Sequence, residues 1–180
     1  KFNGPKGVGF LYINYRHKIN PFINGGAQER NMRGGTENVY GIVGLAKALE
    51  IAYAEFEEQK MQILKLKKHM IEKLIKKIPG VQFNGQCADL NHSLYTVLNV
   101  CLPPTAHNEM LLFNLDISGI SASGGSACSS GSNIGSHVLA ELNRDPKRGA
   151  VRFSFSKYNT VEEVVYTVEA LSKLILPESN

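Results

Sequence analysis

The chain has 180 residues, 43% of them hydrophobic and 20% charged, with 20 basic side chains against 16 acidic ones. That suffices for one well-packed core, or one domain plus part of another, and so mild a positive balance carries no nucleic-acid footprint. No window approaches the ~20 apolar residues of a membrane span, and three cysteines without paired spacing or a leading secretory signal point to a reducing, cytoplasmic compartment.

Lys1–Gly9, KFNGPKGVG, reads as a glycine-rich turn leading into an alternating apolar strand over Val8–Asn14. The abrupt opening suggests part of a longer chain. Ile23–Asn38 is a second polar, glycine-rich loop. Asn38 then caps a helix with Val39, Ile42, Val43, Ala46, Leu49 and Tyr53 on one side, and the helical pattern continues, with a break near Glu57–Lys60, to the Pro79-Gly80 stop. Lys60–Lys77 is the densest basic stretch. Its Leu64, Ile71, Leu74, Ile75 and Ile78 recur at helical spacing, so its lysines form a solvated face; an anionic partner, including RNA, is the rival reading.

Beyond Gly80 the pattern turns to short β-type segments at Val81–Asn84 and Leu94–Leu102, the second holding Cys101 in an apolar run. His107–Asn114 reads as a short helix with Met110, Leu111 and Leu112 inward, and Ile117–Ser121 as a further strand. Ser132 or Ser136 can cap a helix over His137–Leu142. Ala150–Ser156 alternates with period two, and Thr160 with Glu163 forms a capping box for a final helix ending near Leu176. Helices alternating with a few strands predict an α/β chain in which an α+β layer covers one face of a small sheet.

Three residues invite chemistry. Cys128 lies in Ser121–Gly135, SASGGSACSSGSNIG, a polar arm whose one large apolar residue is Ile134. Structural cysteines sit among hydrophobic neighbours, so a thiol on such an arm is either placed to react or incidental to a loop. Arg152, between Val151 and Phe153, needs an anion: a structural carboxylate, the commoner case for a strand arginine, or a ligand's planar carboxylate. Thr36, after Gly34 and Gly35 and just before a helix N-terminus, suits a phosphate, although no P-loop pattern is present. Cys87 lies in a polar loop with no evident role, and the absence of CxxC or HxxxH spacing argues against a zinc site.

Four blocks in order, KFNGPKGVGFLYI, GGAQERNMRGGTEN, SGGSACSSGS and VRFSFSKYNTVEEV, resemble the C-terminal portion of the cysteine desulfurases, fold-type-I PLP enzymes of the class-V aminotransferase family. The resemblance implies that Lys1 holds pyridoxal 5'-phosphate (PLP) as a Schiff base. Cys128 becomes the cysteine that takes sulfur from a PLP aldimine of L-cysteine as a persulfide, leaving L-alanine. Arg152 binds the substrate carboxylate, and Thr36 reaches the PLP phosphate of the neighbouring subunit in a homodimer. Residues 1–53 are then the end of the large PLP-binding domain, and 54–180 the small C-terminal domain with the cysteine loop. The implied partners are L-cysteine and a sulfur-acceptor protein, either a scaffold for iron–sulfur clusters or a tRNA-thiolation carrier.

In this family the region upstream of the lysine supplies the ring-stacking histidine, the aspartate facing the pyridine nitrogen and most phosphate ligands. Little or no activity is therefore expected of the 180 residues alone. Two other readings stand beside this one: a selenocysteine lyase, and a catalytically inactive module that dimerises or docks an acceptor.

Overall fold

In the computed structural model the described residues are 2–105, 108–124, 136–142, 145 and 147–176. Lys1 and Cys128 lie outside them, as does Ser132. The chain divides into two compact units, Lys1–Phe56 and Glu57–Asn180.

The first unit is an extended segment, a loop holding one short turn, α1 (Gln28–Asn31), and a longer helix. Its opening residues lie along α2 (Val39–Ala54): a Cβ on Gly44 would stand 3.1 Å from Pro5 Cγ, and one on Gly4 would stand 3.4 Å from Leu45 Cδ1. Asn38 caps α2 as expected, its Oδ1 accepting from Gly41 N at 3.1 Å. The expected strand over Val8–Asn14 does not form. No neighbouring strand among the described residues supplies a ladder, and Phe10 and Tyr12 are exposed.

The second unit holds the core. α3 (Phe56–Lys77) follows α2 after a break at Glu55, and is followed by β1 (Gln82–Phe83) and β2 (Val97–Cys101). A 3₁₀ turn (Asn108–Met110), α4 (Leu111–Ile117), α5 (His137–Ala140), β3 (Ala150–Ser154) and α6 (Val161–Ile175) complete it. The sheet is antiparallel in the order β1-β2-β3, with Leu98 opposite Phe153 and Asn99 opposite Arg152. Period-two alternation sends Leu98, Val100, Val151 and Phe153 into one cluster with Leu66, Met70 and Leu74 of α3 and Val164, Val168 and Leu171 of α6. Cys101 is buried in β2, as the apolar run predicts.

Two expectations are corrected here. Ile117–Ser121 is not a strand but the end of α4, closed by Gly119 at φ 73, with Ile120 N donating to Leu115 O and Gly119 N to Asp116 O. That is a Schellman cap, and its two flanking apolar residues, Leu115 and Ile120, are both buried. Of the three residues expected to face inward from this helix only Leu111 does; Met110 lies in the 3₁₀ turn before it and Leu112 one position off the buried Leu111–Leu115 face, and both are exposed.

Candidate active site

Thr36 stands at the close of a tightly drawn loop. Gly34 N donates to Ile23 O at 2.9 Å across its neck, and Gly35 N donates to Gln28 Oε1 at 3.1 Å. The neck is too narrow for any side chain, since a Cβ on Gly34 would lie 2.7 Å from Gly25 N. Inside the loop, Glu29, Arg30 and Asn31 take successive left-handed backbone conformations (φ 48, 56 and 63), a strained turn no sequence pattern announced.

Thr36 and Arg33 line a cleft of about 210 Å³ with Gly7, Val8 and Gly9 at the N-terminus of α2. A threonine hydroxyl, a guanidinium and a helix N-terminus fit a phosphate. The fit is one-sided: Glu29 and Glu37 line the same cleft, and Arg33 Nη1 is already donated to Gly34 O at 2.8 Å. The donor set can hold one side of a phosphate and does not enclose it.

Arg152 lies on the face of β3 opposite the core, half-buried, in a polar row that crosses the sheet. Asn84 Nδ2 donates to Asn99 Oδ1 at 2.8 Å, Asn99 faces Arg152 across the β2–β3 ladder, and Arg152 in turn faces Ser123 in an isolated antiparallel bridge. The bridge is made from both sides: Arg152 N donates to Ser123 O at 2.6 Å and Ser123 N to Arg152 O at 3.1 Å. Arg152 Nε also donates to Ser123 Oγ at 3.0 Å. No carboxylate among the described residues pairs with Arg152. Ser123 belongs to the polar arm that leads into Cys128, so the root of the arm and the arginine form one hydrogen-bonded unit.

The returning end of that segment is also held. Arg148 Nε donates to Cys101 Sγ at 3.1 Å and its Nη2 to Cys101 O at 3.2 Å, while Asn108 Nδ2 donates to Lys147 O at 2.8 Å. Ser123, Asn108 and Arg148 escaped the sequence reading because each acts on a partner far along the chain, and neither periodicity nor motif spacing records such pairings.

Thr36 and Arg152 belong to different units, and each is described within its own. Cys87, without a role in sequence, is half-buried with Sγ against Asn99 O at 3.2 Å; burial pushes its thiol pKa up, so it is no better a nucleophile than an ordinary cysteine.

The sequence profile of the aminotransferase class-V family matches residues 1–166. Cysteine desulfurase IscS of Dictyoglomus turgidum is 40% identical over 97% of this chain and 44% of its own length. The protein of the same name from Methanosarcina thermophila is 44% identical over 97% of this chain and 43% of its own. A solved NifS-like protein superposes with a TM-score of 0.80 at 36% identity, over 96% of this chain and 43% of that one. This chain thus spans less than half the length of the relatives it matches. With the small antiparallel sheet, the helices packed on it and the four sequence blocks in order, these likenesses establish that the chain belongs to the aminotransferase class-V family.

Proposed function

We propose that the protein carrying this chain is a PLP-dependent cysteine desulfurase that converts L-cysteine to L-alanine and stores the sulfur as a persulfide on Cys128. The observation that carries the reading is the Ser123–Arg152 bridge. It ties an arginine with no carboxylate partner among the described residues to the arm that leads into Cys128. The names of the relatives support the same activity.

The half-buried Arg152 offers its two Nη groups to the substrate carboxylate, a planar match worth more in a partly desolvated setting. Lys1 and Thr36 hold the cofactor, Lys1 through its amine and Thr36 through the phosphate of the neighbouring subunit's cofactor. PLP, when bound, supplies the electron sink that makes the substrate's Cα proton labile and its Cβ–S bond breakable. Lys1 moves that proton. Cys128, as thiolate, attacks the substrate sulfur: an S–S bond forms, the Cβ–S bond breaks, and its electron pair stays with carbon, which takes up a proton. One cysteine and one enzyme thiol thus become one alanine and one enzyme persulfide, with no outside oxidant. An ordinary thiol of pKa about 8.5 is only a few per cent ionised near neutrality, so the site must favour the thiolate.

On this reading the partners are a second copy of the chain, completing the phosphate site at Thr36, and a sulfur-acceptor protein, in a reducing cytoplasm. No helix among the described residues is long and apolar enough to cross a membrane.

The test uses the full gene product bearing this sequence, with PLP and L-cysteine. Cys128→Ser is expected to abolish persulfide and sulfide formation while the absorbance of bound PLP persists. Undiminished sulfide release from that variant, with alanine formed at the wild-type rate, would refute the assignment of Cys128.

A further inference from the structure

We infer that Ser123 is a positioning residue for the carboxylate-binding arginine: its hydroxyl fixes the guanidinium of Arg152 so that the two Nη groups, and not the Nε edge, are presented to the substrate. The inference rests on the reading of Arg152 given above and adds to it the orientation of the fork and the residue that sets it.

A guanidinium can grip a carboxylate through its Nε and one Nη, or through both Nη groups. In this fold Nε is spent, since it donates to Ser123 Oγ at 3.0 Å. The hydroxyl accepting that bond is itself held. Ser123 and Arg152 exchange two backbone bonds, of 2.6 and 3.1 Å, which leave Ser123 little freedom relative to the strand. On the other flank of Arg152, Asn99 has its Oδ1 engaged by Asn84 Nδ2. The guanidinium therefore has one donor edge committed while, among the described residues, neither Nη group has a hydrogen-bond partner, an orientation set before any ligand arrives. Such preorganisation lowers the ordering cost of binding and acts on the bound ground state as much as on the transition state.

At Ser123 the two short bonds of the arm root are backbone bonds, and the hydroxyl adds to them only a long donation to Arg152 O at 3.5 Å. The bridge uses Ser123 N and O, which any residue other than proline retains, whereas the Nε contact needs the hydroxyl. Ser123→Ala thus removes the orienting bond and keeps the arm root in place, and Ser123→Thr restores the hydroxyl. A purely structural role would move stability and kcat; a positioning role moves affinity for the carboxylate.

The experiment compares wild type, Ser123→Ala, Ser123→Thr, Arg152→Ala and the double variant Ser123→Ala/Arg152→Ala in the full gene product. It measures KM and kcat for L-cysteine and, independently of turnover, the Kd for L-alanine by calorimetry. Ser123→Ala is expected to raise KM and the alanine Kd together by about five- to tenfold, the loss of one charge-assisted hydrogen bond, with kcat within about twofold. Ser123→Thr is expected to lie within about twofold of wild type, and Ser123→Ala to add nothing once Arg152 is alanine. Unchanged KM and Kd in Ser123→Ala overturn the inference, as does an equal loss with and without Arg152. If Arg152→Ala itself leaves KM and the alanine Kd untouched, the carboxylate reading of Arg152 fails, and that failure is visible with Ser123 intact.

Discussion

Lys67 is a fully buried lysine in a helix whose other lysines are exposed or half-buried. Its ammonium donates to Ser93 Oγ and to Leu94 O, both at 2.9 Å, so a charge from α3 closes the loop between β1 and β2. Burial depresses its pKa below the ordinary 10.5, and the nearby Cys87 and Asp89 oppose the shift. A base whose folded pKa is lowered binds its proton less tightly folded than unfolded. The penalty is complete below the folded pKa and is relieved as pH rises toward 10.5. Packing, and not the charge, is then the larger part of what Lys67 contributes. Lys67→Ala is expected to cost ~2–4 kcal/mol in urea unfolding, since it empties a long side chain's volume from the core. Lys67→Met, which keeps that volume, is expected to stay within ~1 kcal/mol of wild type because Leu94 is exposed and its carbonyl can turn to water. Equal losses in the two variants would instead give the ammonium the leading role.

At the level of elements, the helices show how local chemistry sets boundaries. In α6 both halves of the capping box form: Glu163 N donates to Thr160 Oγ1 at 3.3 Å, and Thr160 N to Glu163 Oε2 at 3.1 Å. Asn159 Nδ2 donates to the same carboxylate oxygen at 2.9 Å. That bond first, and the Thr160 N–H second, hold the Glu163 carboxyl below its ordinary 4.5. A depressed acid stabilises the fold fully above its unfolded pKa and loses that contribution as pH falls through the folded one. Thermal melts are therefore expected to weaken as pH drops below 4.5, and Glu163→Gln to flatten that acid limb while removing part of the cap at neutral pH. An acid limb identical in the variant would remove Glu163 from the account. Such caps are written in the sequence, which is why Asn38 and Thr160 are legible as helix starts; of the two serines that could cap the helix from His137, Ser136 accepts from Leu139 N at 3.4 Å. Pairing is not so written. Val8–Asn14 alternates as a strand would, yet alternation specifies a face and supplies no neighbour. Ile117–Ser121 has strand-like composition, but Gly119 lets the chain turn left-handed and end a helix there. The site divides likewise: Arg152 could be found from its place in an alternating segment, whereas its bond to Ser123 spans 29 residues.

Across the whole molecule, burial is distributed very unevenly. Among the described residues, every buried hydrophobic side chain lies between Ile63 and Ile175, within the unit Glu57–Asn180. In the unit Lys1–Phe56 the large apolar side chains are exposed or at most half-buried, with Phe22 at 99% and Tyr40 at 92% exposure. Ordering backbone costs about 1–2 kcal/mol per residue, which only buried apolar area can offset at scale. A lone helix of the length of α2 is marginal in water. The second unit can therefore meet that cost from its own core and the first cannot. A fragment of residues 57–180 is expected to unfold cooperatively and to keep its near-ultraviolet dichroism, whereas a fragment of residues 1–56 is expected to lack both and to bind a hydrophobic dye. In the 180-residue chain, slow amide exchange is expected in α3, β2, β3 and α6, with α2 exchanging at rates close to those of an open chain. Strong protection in α2 would mean that the first unit finds stability that its own buried surface does not supply. Apolar area exposed on this scale is expected to be covered when it forms one patch. It sits in the unit that carries Thr36 and the one-sided phosphate cleft, so the same experiment, repeated on the full gene product, reads whether covering that surface and ordering the cleft occur together. Protection of α2 and of the loop around Gly34 should then rise in step. A rise in one without the other would separate the fold of this unit from the assembly of its site.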